Sequence, residues 1–205
     1  MYQKGARRRE DLLQATLRLI GARGADTVTH RAVAKEAGVP LSATTYYFAS
    51  KEELLEQTLL RAAREETERL ERLVLELAPQ SLSVGEWAAA VSAQIARDVA
   101  GEPAKHVALF ELGLEATRRE PLRAELQRWQ NAYLRLAEMG CRAIGSDDPR
   151  MDAQVVVATL TGLMLEQLAG GREDFETAVM RPALERLLGR LAGQGEGRQL
   201  ATPVA

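Results

Sequence analysis

The stretch THRAVAKEAGVPLSATTYYF, residues 29–48, decides the fold of the N-terminal quarter. Thr29 is a good N-cap for a helix of two turns, and Gly38 is the residue type that commonly ends one. Pro40 fixes φ in the connection that follows, and residues 42–48 predict a second short helix. Two short helices joined by a tight turn are typical of a helix-turn-helix, whose second helix enters the major groove of DNA.

The residue types in this stretch fit that geometry. Ala34 and Gly38 allow the two helices to cross closely, and Phe48 can contribute to a small core beneath them. Short side chains can approach base edges without bulk, and tyrosine hydroxyls can reach phosphate oxygens. A residue at a helix start also lies where the dipole favours phosphate. The predicted DNA contacts are Thr29, Ser42, Ala43, Thr44, Thr45, Tyr46, Tyr47 and Lys51.

Helical patterns continue on both sides of this stretch. Apolar residues at helical spacing predict a first helix at 7–21, and a capping box at Ser50 predicts a long helix that reaches about residue 78. Breakers separate five further predicted helices, the last kinked or divided by Pro182. These lie at 83–100, 103–119, 121–144, 150–169 and 174–192. No segment shows the period-two alternation of a strand, so the predicted fold class is all-α, with a three-helix N-terminal domain, a larger helical domain and about nine helices.

Charge is divided unevenly along the chain. Residues 1–51 hold nine basic and four acidic groups, a balance of +5, whereas the remainder holds eighteen basic and twenty-five acidic groups, a balance of −7. A charge run is often only a solvated surface. Together with a helix-turn-helix, however, a basic N-terminal quarter indicates a module that binds the phosphates of a nucleic acid.

Composition restricts the remaining possibilities. The 205 residues are 46% hydrophobic and 27% charged, which is typical of a globular chain. With one cysteine, Cys141, and two histidines we predict no internal disulfide, no metal site and no cofactor. The longest uncharged apolar run, 153–165, is shorter than a membrane span, and no N-terminal signal peptide is recognisable. We therefore expect a cytoplasmic protein with no membrane partner.

Three segments together resemble the tetracycline-repressor-like (TetR) family of bacterial transcription regulators. They are Ala-Asp-Thr-Val-Thr at 25–29, Ala-Val-Ala-Lys-Glu-Ala-Gly-Val at 32–39 and Tyr-Tyr-Phe-Ala-Ser-Lys-Glu-Glu-Leu-Leu at 46–55. The resemblance is specific over about residues 8–58. It implies a recognition helix at about 41–47 and phosphate contacts from Thr29, Tyr47 and Lys51. Many members carry glycine near position 43 or 44, where this chain has alanine and threonine, so the base preference can differ.

The resemblance also implies an organisation into domains. Residues 1–51 would be the DNA-binding domain and 52–192 a ligand-binding and dimerisation domain. The glycine-rich, polar composition of 193–205 separately predicts a disordered tail. Such a protein would bind a double-stranded, palindromic operator as a homodimer, repress transcription and leave the operator when a small molecule binds. An activator, or a DNA-binding regulator that needs no effector, is the alternative.

Two further sets of residues are predicted with less support from the sequence. Aromatic, apolar and histidine side chains that could line an effector pocket are Trp87, Val91, His106, Phe110, Trp129, Tyr133 and Met164. An apolar stripe on the last two helices predicts a dimer interface at Val157, Leu160, Thr161, Met164, Leu168, Val179, Leu187 and Leu188. Either set could instead be the ordinary core of a single subunit.

Other functional classes fit the sequence poorly. It contains no glycine-rich phosphate loop after a strand, no Gly-x-Ser-x-Gly and no His-Glu-x-x-His, so an enzyme is not predicted. A purely structural helical protein would leave the consecutive aromatic residues at 46–48 and the basic N-terminal quarter without a role.

Overall fold

The computed structural model describes residues 2–77 and 83–192, with side chains from residue 5 onward. Its helices are α1 (Tyr2–Arg23), α2 (His30–Glu36), α3 (Leu41–Tyr47), α4 (Lys51–Leu77), α5 (Val84–Gly101), α6 (Pro103–Ala116), α7 (Glu120–Ala143), α8 (Pro149–Gly170) and α9 (Arg181–Leu191). A short 3-10 helix, Ala25–Thr27, precedes α2. No strand occurs in the described part of the chain, and the predicted all-α class is confirmed. The tail predicted at 193–205 lies outside the described residues.

Local sequence explains the boundaries of the short helices. The Thr29 hydroxyl oxygen accepts a hydrogen bond from the Ala32 amide at 3.1 Å, which caps α2 as predicted. Gly38 has a φ of 65°, in the left-handed region that glycine adopts without steric cost. The Val39 amide then bonds back to the Ala34 carbonyl at 2.9 Å, so α2 ends in a Schellman motif. At the start of α4 the Ser50 hydroxyl accepts from the Glu53 amide at 3.0 Å, as the capping box predicts.

The last helical segment changes its geometry near Pro182. Phe175–Met180 forms a π-helical turn, and α9 begins at Arg181 with proline in its first turn. Because proline has no amide hydrogen, it cannot donate to the carbonyl four residues earlier, and the regular α-helical ladder is interrupted there. The change of helix type next to Pro182 agrees with the expected kink or division there.

One compact unit comprises Met1–Arg69 and Val99–Gln130. Its core is built from α1, the helix-turn-helix, the first half of α4, α6 and the start of α7. Helices α1 and α6 cross unusually closely, because a Cβ atom placed on Gly21 would lie 2.3 Å from both Cα and Cβ of Ala104. Only glycine can occupy position 21 while α6 keeps this position.

Charged side chains on α4 add polar ties within this unit. Arg61 pairs with Glu10 of α1, and Arg64 Nε lies 3.2 Å from a carboxylate oxygen of Glu125 at the start of α7. The fully buried Glu66 forms the third tie, and its Oε2 lies 3.5 Å from Lys105 Nζ on α6. A buried pair of this kind adds little net stability, because desolvation offsets much of its Coulomb attraction, but removal of one partner is costly since it leaves the other charge buried and uncompensated.

The surroundings of Glu66 favour its ionised form. Burial by itself raises the pKa of Glu66, but the hydrogen bond and charge of Arg69 and the charges of Lys105 and His106 outweigh burial and lower it below the ordinary 4.5. The two nitrogens of Arg69 that hold the carboxylate lie 3.0 and 2.5 Å from its oxygens. The net effect of the partners is therefore to keep a buried carboxylate charged.

The second compact unit comprises Leu70–Asp98 and Asn131–Ala205. In it Trp87 of α5 packs closely against α7, where a Cβ at Gly140 would lie 2.6 Å from Trp87 Cζ2. Cys141 is buried nearby, and its burial, with smaller effects of Asp152 and Glu138, raises the pKa of the thiol to about 11. The thiol is therefore protonated at neutral pH and unreactive.

Compactness thus divides the chain differently from the functional division expected from the sequence. The functional boundary at residue 51 falls at the first residue of α4, inside the first compact unit. The boundary at residue 51 stays a prediction about function, since a DNA-binding segment need not end where a compact unit ends.

Helix α8 is apolar on two opposite sides. Ala153, Val156, Leu160 and Met164 are buried within the unit. On the other side the exposed residues recur at alternating intervals of four and three positions, namely Met151, Val155, Ala158, Gly162, Leu165 and Ala169. We call this side the outer face of α8. By length and a mean hydropathy of 1.2 this helix could also cross a membrane, although such a single helix is weak evidence of a span.

Replacing Glu66 with glutamine should change how stability depends on pH. At pH 7 the variant leaves Lys105 with Glu102 as its acidic partner among the described residues, and we expect the free energy of unfolding to fall by about 3 kcal/mol. Because the pKa of Glu66 is lowered in the folded state, the wild type loses this contribution as the pH falls below 4.5. In urea unfolding between pH 7 and pH 3, the free energies of unfolding of the wild type and of Glu66→Gln should therefore converge as the pH falls. Glu68→Gln, on an exposed side of α4, is the control, and parallel curves for wild type and Glu66→Gln would contradict the prediction.

Candidate nucleic-acid interface

Helix α3 presents one exposed side to solvent. Leu41, Ser42, Thr45 and Tyr46 are exposed on it, and the exposed fraction of Tyr46 is 81%. A tyrosine ring is large and normally buries most of its surface. The exposed ring of Tyr46 is therefore a distinctive part of the surface that α3 presents to solvent. Ser42, Thr45 and Tyr46 are among the predicted DNA contacts. Leu41 lay inside the predicted recognition helix but was not chosen as a contact.

Thr44 corrects one of the sequence-based predictions. Its side chain is fully buried, and its hydroxyl donates to the Leu41 carbonyl at 2.8 Å. A side chain on the buried side of α3 cannot reach a base edge, so the predicted direct contact from Thr44 is wrong. The sequence suggested a contact because threonine suits both roles, and only the rotation of α3 about its axis separates them.

Ala43 and Tyr47 lie between the exposed and buried sides of α3, and both are half-buried. The rings of Tyr46 and Tyr47 meet edge to face with centroids 5.0 Å apart. The Tyr47 hydroxyl lies beside α1, 3.6 Å from where a Cβ on Gly5 would stand. Tyr47 thus packs against Tyr46 and places its hydroxyl beside α1, and its predicted phosphate contact stays a prediction.

Thr29 and Lys51 lie at the starts of α2 and α4. Thr29 is exposed, and because its oxygen accepts the capping bond, its hydroxyl hydrogen remains able to donate. Lys51 Nζ donates to the Asp26 carbonyl at 3.0 Å, which ties α4 to the 3-10 helix. An ammonium has three hydrogens, so a phosphate can still be bound. Both predicted contacts stay predictions.

Phe48 anchors the C-terminal end of α3. It is almost fully buried, as the sequence predicted, and the Arg9 guanidinium carbon lies 5.3 Å from the centroid of its ring. Arg9 also donates to Gln57 Oε1 at 3.2 Å. Residues of α1, α3 and α4 therefore meet around one aromatic ring, and α3 is held at a fixed angle.

Several basic side chains are exposed in the same part of the chain. Arg7, Arg8, Arg31 and Lys35 are exposed, whereas Arg18 forms an ion pair with Glu36 at 2.8 Å. The first four can attract phosphate over long range without fixing the position of the helix. The pattern agrees with the excess of positive charge in residues 1–51.

Two family models match the chain. "Bacterial regulatory proteins, tetR family" covers residues 12–58, and "Tetracyclin repressor-like, C-terminal domain" covers residues 82–190, more than half of the sequence. The chain belongs to the TetR family. It is a DNA-binding transcriptional regulator and not an enzyme, and the predicted resemblance is confirmed.

Individual relatives agree with this assignment. The transcriptional regulator PksA of Bacillus subtilis is 35% identical over 69 residues, 34% of each chain, so the match spans about a third of that protein. The multidrug binding protein EbrR, solved with ethidium, is 27% identical with a TM-score of 0.63, and the alignment covers 90% of this chain and 98% of EbrR. SCO1917, a TetR-family member from Streptomyces coelicolor, is also 27% identical, with a TM-score of 0.66. The alignment covers 90% of this chain and 98% of SCO1917.

The predicted effector-binding residues divide between the two compact units. Trp87, Val91, Tyr133 and Met164 belong to the second unit, and His106, Phe110 and Trp129 to the first. Trp87, Val91, His106 and Met164 are buried, and the other three are half-buried. A groove of about 520 Å³ in the second unit is lined by other residues, namely Asn131, Leu134, Arg135, Glu138, Arg150, Ala153 and Gln154. The predicted pocket stays a prediction.

The predicted dimer residues differ in their exposure. Leu160, Met164 and Leu188 are buried within the protomer, whereas Val157, Leu168, Val179 and Leu187 are half-buried and Thr161 is exposed. Residues already packed inside a protomer cannot supply much surface to a partner. The exposed apolar surface on α8 is the outer face, which the sequence analysis did not single out.

Replacing Tyr46 with alanine should separate DNA binding from folding. Because the ring is exposed, we expect the free energy of unfolding to change by less than about 0.5 kcal/mol, while affinity for DNA falls at least about 10-fold. Phe48→Ala is the matched comparison, because it removes a buried ring and should lower stability by about 3 kcal/mol or more. Fluorescence anisotropy with a labelled duplex and urea unfolding measure the two effects. Unchanged DNA affinity in a folded Tyr46→Ala protein would contradict this role.

Proposed function

We propose that this protein is a homodimeric repressor, that it binds a two-fold symmetric operator through α3, and that a small molecule releases it. The observation that carries the DNA-binding half is the exposed side of α3, which is held in place by the buried Thr44 and Phe48. Residues 1–51 act as the DNA-binding domain and 52–192 as the domain for dimerisation and effector binding.

In the proposed complex α3 lies in the major groove. Ser42, Thr45 and Tyr46 face the bases or the nearest phosphates, since they share the exposed side of this helix. Thr29, Tyr47 and Lys51 bind phosphates on the flanks and set the position of α3 along the groove. Because much of the affinity comes from phosphates, binding should weaken strongly as salt is added.

The outer face of α8 is the proposed dimer surface. Its alternating intervals of four and three residues are the spacing that lets two helices pack along a common seam. The small residues Ala158 and Gly162 allow close approach, and the larger Met151, Val155 and Leu165 supply apolar area. Family membership favours a second copy of the chain over a lipid bilayer as the cover for this face, since TetR-family regulators typically form dimers.

A dimer of this kind constrains the DNA site. Two identical recognition helices related by a two-fold axis read two inverted half-sites. For helix-turn-helix dimers the half-sites lie about one turn of DNA apart, roughly 34 Å, or a multiple of it. The proposed operator is therefore an imperfect palindrome, and loss of the dimer should lower affinity for the full site much more than affinity for one half-site.

Replacing Val155 with glutamate should convert the dimer into a monomer. Two carboxylates placed in one apolar seam would be desolvated and would repel each other. Light scattering should show half the wild-type mass, and binding to an operator selected from random duplexes should weaken at least about 100-fold, with little change for a single half-site. Leu114→Glu, on α6 with 61% exposure, is the matched control and should leave both properties unchanged.

The outcomes separate the parts of the proposal. A wild-type protein that selects no duplex would overturn the operator hypothesis, and a Val155→Glu protein that stays dimeric would overturn the assignment of the interface. A reporter gene behind the selected operator distinguishes repression, in which the protein lowers expression, from activation, in which it raises expression.

For the effector we propose a planar aromatic cation. EbrR was solved with ethidium and with proflavin, and it is 27% to 28% identical to this chain. Among the candidate residues, Trp87 offers a large π-face, which attracts cations. Its indole N–H is a buried donor without an acceptor within the described structure, so only a bound molecule that also carries an acceptor atom could satisfy it.

Ethidium is the probe for this part of the proposal. It should quench the tryptophan fluorescence of the dimer, and Trp87→Phe should weaken its binding about 10-fold, measured by calorimetry on protein without DNA. Trp129→Phe removes the other indole of the chain and tests the second candidate tryptophan in the same way. Because ethidium also intercalates, release from operator DNA is judged by the difference between wild type and Trp87→Phe at the same ethidium concentration. Equal affinity of the two proteins would contradict the role of Trp87.

A further inference from the structure

The first residue of α3, Leu41, is an exposed apolar side chain on the side of the helix that faces DNA in the proposed complex. It follows the N-cap Pro40 directly, and 45% of its surface is exposed. Single exposed leucines are common and need no explanation elsewhere on a protein. At this position the exposure matters, because the N-terminal residues of a recognition helix are those that contact base edges.

The polar groups around Leu41 are few and partly used within the helix. The Thr45 hydroxyl donates to the Ser42 carbonyl at 3.3 Å, and the Thr44 hydroxyl donates to the carbonyl of Leu41 itself. The whole of α3, with the sequence LSATTYY, contains no arginine, lysine, asparagine or glutamine. These four residue types make the bidentate hydrogen bonds that distinguish guanine and adenine in the major groove.

Base recognition by α3 must therefore use other contacts. The major-groove edges of guanine, cytosine and adenine offer hydrogen-bond donors and acceptors, whereas thymine adds an apolar group, the C5-methyl. A leucine can neither donate nor accept a hydrogen bond, so placing it against a guanine or adenine edge would leave polar atoms dehydrated without a partner. Against a thymine methyl it would bury apolar surface on both sides.

We propose that Leu41 is a specificity-determining residue that packs against the C5-methyl of one thymine in each half-site. This inference rests on the proposed function, since it requires α3 to lie in the major groove. It goes further by assigning a base and a chemical group to a residue. An operator whose half-sites each contain a fixed thymine near the start of α3 follows from it.

The test removes the methyl group from the DNA and the side chain from the protein, separately and together. The full-length protein first selects its operator from a pool of random duplexes. Each thymine of the selected half-site is then replaced in turn by uracil, which keeps the hydrogen-bonding groups and lacks only the methyl. For the wild type, one position in each half-site should lower affinity about 4-fold, or about 16-fold when both half-sites are changed, from the burial of one methyl group.

The Leu41→Ala protein decides whether the leucine reads that methyl. At the sensitive position this variant should bind thymine and uracil operators equally well, while other thymines behave as in the wild type. Leu75→Ala, which shortens an exposed leucine on α4 (74% exposed), is the matched control and should retain the wild-type response to uracil. Thermal unfolding of both variants shows that they are folded.

Each outcome has a separate meaning. If no operator is selected, the proposed function fails before Leu41 is tested. If an operator is selected but Leu41→Ala remains as sensitive to uracil as the wild type at every thymine, the assignment of Leu41 is overturned. If Leu41→Ala weakens binding to the thymine operator and to the uracil operator by the same factor, the preference for thymine is unchanged. The residue then contributes to binding without reading the methyl, and the proposal is also overturned.

Discussion

A helix of seven residues is too short to be stable by itself in water, and the DNA-facing surface of this protein depends on one. Helix α3 keeps its shape because Thr44 and Phe48 are buried in the core beneath it. The contact of Arg9 with the Phe48 ring fixes the end of the helix against α1. The exposed side of α3 is therefore determined by which of its residues are buried, and the contacts proposed for Ser42, Thr45 and Tyr46 follow from that rotation.

The same compact unit contains a second constraint, at the first turn of α6. Ala104 lies against Gly21 with no room for a side chain, and the next residue, Lys105, reaches the buried Glu66. Steric contact fixes how closely α6 approaches α1, and a charged pair fixes its position along α4. Two adjacent residues thus secure one helix to two neighbours by different physical interactions, of which the charged pair depends on the ionised state of Glu66.

Helix α8 shows why apolar composition alone is ambiguous. A helix with apolar residues on all sides can be a core helix, a membrane span or an interface helix. Its inner residues pack within the protomer, and its outer face repeats with the spacing of a helix pair. The stripe chosen from the sequence, through Leu160 and Met164, follows the inner side, because both sides are apolar and the sequence contains no signal that says which one is buried.

Local chemistry in the sequence was sufficient for the helices and their ends. Four local signals act through neighbouring backbone groups, so they can be predicted without a tertiary structure. They are the Thr29 cap, the glycine at 38, the capping box at Ser50 and the proline at 182. The family-specific residues at 46–55 identified the class of protein because they form one contiguous motif in the sequence. The amino-acid sequence was thus enough to assign an all-α TetR-family regulator and to locate its helix-turn-helix. The burial of Thr44, the exposure of Leu41 and the free side of α8 follow only from the folded chain, because burial depends on residues distant in the sequence.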